Sequence, residues 1–125
     1  MPSSNVEFPE PLVSTDWLAA HLDDPDVRVI DCRWYLRPFD HREGHAEYLA
    51  GHIPGAVHAR WDTDLADVER PASMVAGPQR YAAAMGARGV GDDTFVVTYD
   101  DRHVPVAARV WWTLRLYGQD RKSVV

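Results

Sequence analysis

The chain has 125 residues, 46% of them hydrophobic and 26% charged, which is enough for one compact domain and too few for two. Its 13 Lys and Arg face 19 Asp and Glu for a formal charge of -6, spread over both halves without a basic stripe, which argues against a nucleic-acid partner. The only cysteine is Cys32, so an intrachain disulfide and the paired-cysteine scaffolds of small secreted domains are excluded.

From Met1 to Glu7 there is neither a basic cluster nor an apolar run of signal-peptide length, and no later apolar run approaches a bilayer span. A cytoplasmic chain with no membrane span is expected. Residues 1 to 11, with Pro2, Pro9 and Pro11, read as a flexible lead-in, and residues 12 to 125 as the ordered domain. Ser14 is placed to cap a short helix with Trp17, Leu18, His21 and Leu22 at helical spacing, closed by Asp23, Asp24 and Pro25. Val27 to Asp31 is a short β-branched run and reads as a buried strand. Arg37 to His45 has no period and reads as loop, and Ala46 to Ala50 as a single helical turn stopped by Gly51. Ile53, Pro54 and Gly55 make a tight bend, Ala56 to Ala59 a very short strand, and the stretch to Gly77 an irregular surface.

Pro78 suits the first turn of a helix to Arg88 that carries Tyr81, Ala82, Ala84 and Met85. Gly91 to Asp93 is a turn, and Thr94 to Tyr99 has the strongest β propensity in the chain. Pro105 to Tyr117 places Val106, Val110, Trp111, Leu114 and Tyr117 on one helical face, with Gly118 as its stop. Lys122 to Val125 opens another strand. Strands alternating with helices imply an α/β fold whose mainly parallel sheet is flanked by helices, because each parallel connection must cross over. A last strand and its covering helix look incomplete, from which low solubility or self-association is expected.

Asp31-Cys32-Arg33 at a strand end, followed by Tyr48-Leu49-Ala50-Gly51-His52-Ile53-Pro54-Gly55-Ala56, resembles the first half of a rhodanese, or thiosulfate sulfurtransferase, domain. The likeness runs through Gly89 to Thr94, Val97 to Asp100 and Arg109 to Trp112, covering roughly residues 12 to 121, and its last two pieces look like the N-terminal repeat of tandem rhodanese enzymes. The resemblance implies a three-layer domain of a thiosulfate or 3-mercaptopyruvate sulfurtransferase. Such an enzyme moves sulfane sulfur from a small donor to a thiol or cyanide through a cysteine persulfide, without a cofactor.

In that family the working cysteine lies in a loop between a strand and a helix, where main-chain amides favour thiolate and persulfide. Aligning Phe95 to Tyr99 and the helix near Pro105 puts Asp100 at this position, with Asp101, Arg102, His103 and Val104 completing a degenerate loop. A carboxylate cannot become a persulfide. The implied catalytic set in this chain is therefore empty, and the implied partner is a second repeat that carries the cysteine. The alternative is a non-catalytic rhodanese-like module that docks a protein partner.

Cys32 itself is read as a small buried residue: Asp31 would raise its pKa, Arg33 would lower it, and no helix N-terminus follows promptly. A cysteine-based phosphatase would need an arginine five residues after the thiol, where Pro38 stands. His41 and His45 have the spacing of helical metal ligands, yet Arg42, Glu43 and Gly44 make a poor helix between them, so no metal is expected. His52 is read as a turn residue, with Arg33, His52 and Trp112 as candidates for an interface with a second repeat. Asp100, Asp101, Arg102 and His103 are read as a solvated loop with local ion pairs, since two acids beside one arginine argue against an anion pocket.

Overall fold

The computed structural model describes residues 11–67, 69, 74–101, 104–119 and 122–125. Residues 1–10 of the expected lead-in, together with Arg102 and His103, lie outside the described residues. Helices α1 (Thr15–His21), α2 (Gly44–Ala50), α3 (Pro78–Ala87) and α4 (Val106–Leu116) alternate with strands β1 (Val27–Asp31), β2 (Val57–His58), β3 (Phe95–Tyr99) and β4 (Lys122–Val124). The four strands form one sheet in the order β2-β1-β3-β4 with every pair parallel, as the alternation requires.

The register pairs Val27 with Phe95 and Asp31 with Tyr99, while Val97 faces Ser123 across the β3–β4 ladder. All of β3 is buried, which fits a central strand covered on both faces and explains its continuous apolar and β-branched run. Strand alternation sends Ile30, Cys32 and Val96 into a core with Tyr81 and Met85 of α3 and Val106, Val110 and Leu114 of α4. The opposite face, with Val29, Phe95, Val97 and Tyr99, packs on Leu18 of α1. The result is a three-layer α/β domain. Full burial of Phe95 alone contributes about 2 kcal/mol.

Several boundaries move from their sequence-based places for local reasons. Ser14 caps α1 as expected, its hydroxyl accepting the Trp17 amide at 3.0 Å, but the helix ends at His21. Beyond it, Asp24 shapes a turn by accepting the amides of Val27 and Asp26. The loop predicted over Arg37 to His45 gives way to α2 from Gly44 onward, because the Glu43 carboxylate accepts the His45 and Ala46 amides. Pro11, assigned to the lead-in, already belongs to the sheet edge: its carbonyl accepts the Val124 amide at 2.8 Å, and Val13 returns a bond to the Val124 carbonyl at 2.9 Å.

Candidate functional site

The carboxyl ends of β1, β2 and β3 gather the chemistry-bearing residues. Asp100 leaves β3, and its Oδ2 accepts the Ala107 amide at 2.8 Å in the first turn of α4. Thr98 Oγ1 donates to the Ala107 carbonyl at 3.0 Å, so strand end and helix start are tied on both sides of the loop. A carboxylate here meets an orphan helix amide and the positive end of the helix dipole, and it holds the junction closed. It offers an oxygen to donors and no polarizable sulfur to an acceptor.

Asp101 also has partners outside its own loop. Its Oδ2 accepts Tyr35 Oη at 2.7 Å and stands 3.7 Å from Arg42 Nη1, partners from a loop more than fifty residues upstream. The Arg42 guanidinium lies 4.2 Å above the Tyr35 ring and donates to Asp40 at 2.8 Å. Burial, with the Asp101 contact behind it, pushes the Tyr35 hydroxyl up to about 12. Val104 is half-buried against the core and Pro105 is exposed just before α4.

Cys32 is fully buried, with its amide donating to the Tyr99 carbonyl at 2.8 Å and its thiol to the Ile30 carbonyl at 3.6 Å. Burial first, then the charges of Asp31 and Asp100, raise its pKa well above the ordinary thiol value. The lowering effect expected of Arg33 does not materialise, because that guanidinium is turned onto Asp31. This thiol is a packing residue in the core between the sheet and helices α3 and α4.

Asp31 is the hub that the sequence did not single out. Its buried carboxylate accepts the Arg33 amide at 2.9 Å, Arg33 Nη2 at 2.8 Å and Tyr99 Oη at 3.0 Å. Arg33 Nη2 also donates to the Gly51 carbonyl at 2.7 Å, and the Ile53 amide donates to Tyr99 Oη at 3.2 Å. Tyr48 Oη donates to the Ala56 carbonyl at 2.7 Å, and His52 Nδ1 donates to the Tyr48 carbonyl at the same distance while its ring stacks on Tyr48. The segment from Tyr48 to Ala56 is thus fastened to the ends of β1 and β3. Arg33 and the His52 segment come together through Gly51, with His52 exposed at the rim. Trp112, more than half exposed on α4, makes no hydrogen bond or ring contact with either among the described residues.

His58, at the end of β2, is held below its ordinary pKa by burial, against an upward pull from Asp31. His45 lies in α2 with its ring 5.4 Å from that of His58, while His41 stays in the preceding loop. Among the described residues no three His, Cys, Asp or Glu side chains converge as a metal ion would need, and no helix is long and apolar enough to cross a membrane.

Residues 14–125 match the model of the rhodanese-like domain. The chain is 39% identical over 114 residues to the 3-mercaptopyruvate sulfurtransferase of Escherichia coli strain K12, covering 90% of this chain and 40% of that protein. It is 35% identical over 123 residues to the mitochondrial thiosulfate/3-mercaptopyruvate sulfurtransferase 1 of Arabidopsis thaliana, covering 98% of this chain and 32% of that protein. The crystal structure of Escherichia coli SseA, a 3-mercaptopyruvate sulfotransferase with the rhodanese fold, superposes with a TM-score of 0.82 at 38% identity, over 91% of this chain and 44% of the other. The chain therefore spans less than half the length of these relatives.

Proposed function

Because this chain belongs to the rhodanese-like domain family, we propose that it is the N-terminal, non-catalytic repeat of a tandem thiosulfate or 3-mercaptopyruvate sulfurtransferase. The observation that carries the reading is the Asp100 carboxylate bonded to the Ala107 amide at the β3–α4 junction. In sulfur transfer, a thiolate attacks the outer sulfur of the donor, and the bond to that sulfur breaks with the electron pair leaving on sulfite or the enolate of pyruvate. The persulfide then passes its outer sulfur to cyanide or a thiol, and the thiolate returns. Asp100 supplies no such nucleophile, and Cys32 is sealed in the core with its proton held.

The work of this repeat is then structural: it presents a rigid rim to the repeat that carries the cysteine. Arg33, Gly51 and His52, braced by Asp31 and Tyr99, supply one part of that rim, and the exposed indole of Trp112 another. The share of the relatives left uncovered supports a second repeat of similar size. The lone thiol and the absence of disulfides favour a cytoplasmic setting.

The coding region beyond codon 125 tests the reading. A second rhodanese repeat with a cysteine between its central strand and the following helix, and sulfur transfer by the protein carrying both, is the expected result. A reading frame that ends without one overturns it in favour of a rhodanese-like docking module.

A further inference from the structure

Tyr48 of α2 sits among three imidazoles. Its ring stacks on His52 at 3.9 Å between centroids and on His45 at 5.9 Å, and it stands 5.5 Å from the ring of His58 at the end of β2. The His45 and His58 rings are 5.4 Å apart, so this contact between α2 and β2 joins two groups that both gain charge in mild acid.

His58 is the member least suited to a proton. Its Nε2 is buried without a hydrogen bond and lies against the first residue of α2, since a Cβ on Gly44 would stand 3.3 Å from it. A neutral imidazole leaves one nitrogen bare, whereas an imidazolium carries an N–H on both.

The groups around His58 leave that cost standing. On the β1 side the Asp31 carboxylate and the Arg33 carbonyl both favour a proton, but the carboxylate is committed to Arg33 and Tyr99. His45 from α2 and Arg60 from the loop after β2 oppose one. Glu43, 3.6 Å from Arg60, has its carboxylate taken by the His45 and Ala46 amides. Arg88, just past α3, donates to the His58 carbonyl at 2.8 Å and pairs with Asp64. Burial, the largest influence, decides the balance and holds the imidazole below its ordinary pKa.

We propose that His58, His45 and Tyr48 form an acid-operated latch, which closes α2 onto the end of β2 while both imidazoles are neutral and lets α2 and residues 51–56 loosen when both are protonated. Tyr48 carries the change onward, because its Oη also holds the Ala56 carbonyl at 2.7 Å. The closed state resists a proton that the opened state takes up freely, so opening binds protons. Closure is therefore complete above about pH 6.5 and weakens as pH falls below it. Gly51 and His52 belong to the rim proposed to meet a second repeat, so the order of that rim depends on acidity. The latch is tested without turnover and without a second repeat, so either proposal can fail while the other stands.

The test follows the 125-residue chain by NMR titration of its imidazoles and by amide hydrogen exchange, expressed as protection relative to an unfolded peptide at the same pH. His58 is expected to titrate below about 6.5, and the protection of α2 amides to fall about fivefold from about pH 7.5 to about pH 5.5 while β1 and β3 keep theirs. His58→Gln, neutral at every pH, is expected to abolish that fall. His45→Gln, at a half-buried position, is expected to raise the His58 midpoint and shrink the fall. A His58 midpoint at or above about 6.5, α2 protection indifferent to pH, an equal loss in β3, or a fall undiminished in either variant overturns the proposal.

Discussion

Asp100 and Ala107 are joined across the turn from β3 to α4, carboxylate oxygen to main-chain amide, at 2.8 Å. Asp100 therefore satisfies one first-turn amide of the helix from outside it, and Asp100→Ala is expected to destabilise the fold by about 1 kcal/mol in urea denaturation, with Asp100→Asn losing less because it keeps the acceptor. Equal stability of all three proteins would show that the bond contributes nothing.

Asp31→Ala strips the partner from Arg33 and Tyr99 together. Removing one member of a buried, hydrogen-bonded ion pair costs about 3 kcal/mol or more, so this variant is expected to unfold at markedly lower denaturant. Tyr99→Phe removes one neutral donor from the same hub and costs about 1 kcal/mol. The reverse order of the two losses, measured on purified proteins, would contradict the hub.

The two glycines at the ends of α2, Gly44 and Gly51, should respond differently to alanine. A Cβ on Gly44 would stand 2.1 Å from the Arg33 carbonyl oxygen, so Gly44→Ala must shift the β1 loop or α2 and is expected to lose about 2 kcal/mol. At Gly51 nothing lies within 4 Å and the backbone is extended, so Gly51→Ala is expected to melt like the parent. Thermal midpoints of the pair decide it.

Stability is expected to fall as pH rises from about 8.5. The folded state holds the Cys32 proton above the pH at which the unfolded thiol loses it, and Tyr99 and Tyr35, each pushed up to about 12, do the same higher in the range. Over that window the unfolded chain binds fewer protons, so alkali favours unfolding. A urea midpoint flat between about pH 7 and 8 and declining above, with the early part of the decline absent in Cys32→Ala, is the predicted profile.

The layer architecture was legible because its signals are local. Val27 to Asp31 and Phe95 to Tyr99 are short β-branched runs between turn residues, and the strand–helix alternation leaves few topologies open. The start of α2 was not legible, since Gly44 is a poor helix former whose place is dictated by the Arg33 carbonyl and the Glu43 cap. The Asp31 hub was hidden for a different reason: Tyr99 lies 68 residues away from it, and nothing in either residue's neighbours announces the bond. The reach of Asp101 to Tyr35 and Arg42 was hidden in the same way, since both lie more than fifty residues upstream.

Incubation of this chain alone with thiosulfate and cyanide, read as thiocyanate formed per mole of protein, bears most directly on the proposal that this repeat carries no working sulfur nucleophile. No thiocyanate above the uncatalysed background is predicted, with Cys32 recovered unmodified by mass spectrometry. Turnover at the rate of a complete sulfurtransferase, or an added sulfur on Cys32, would contradict the account.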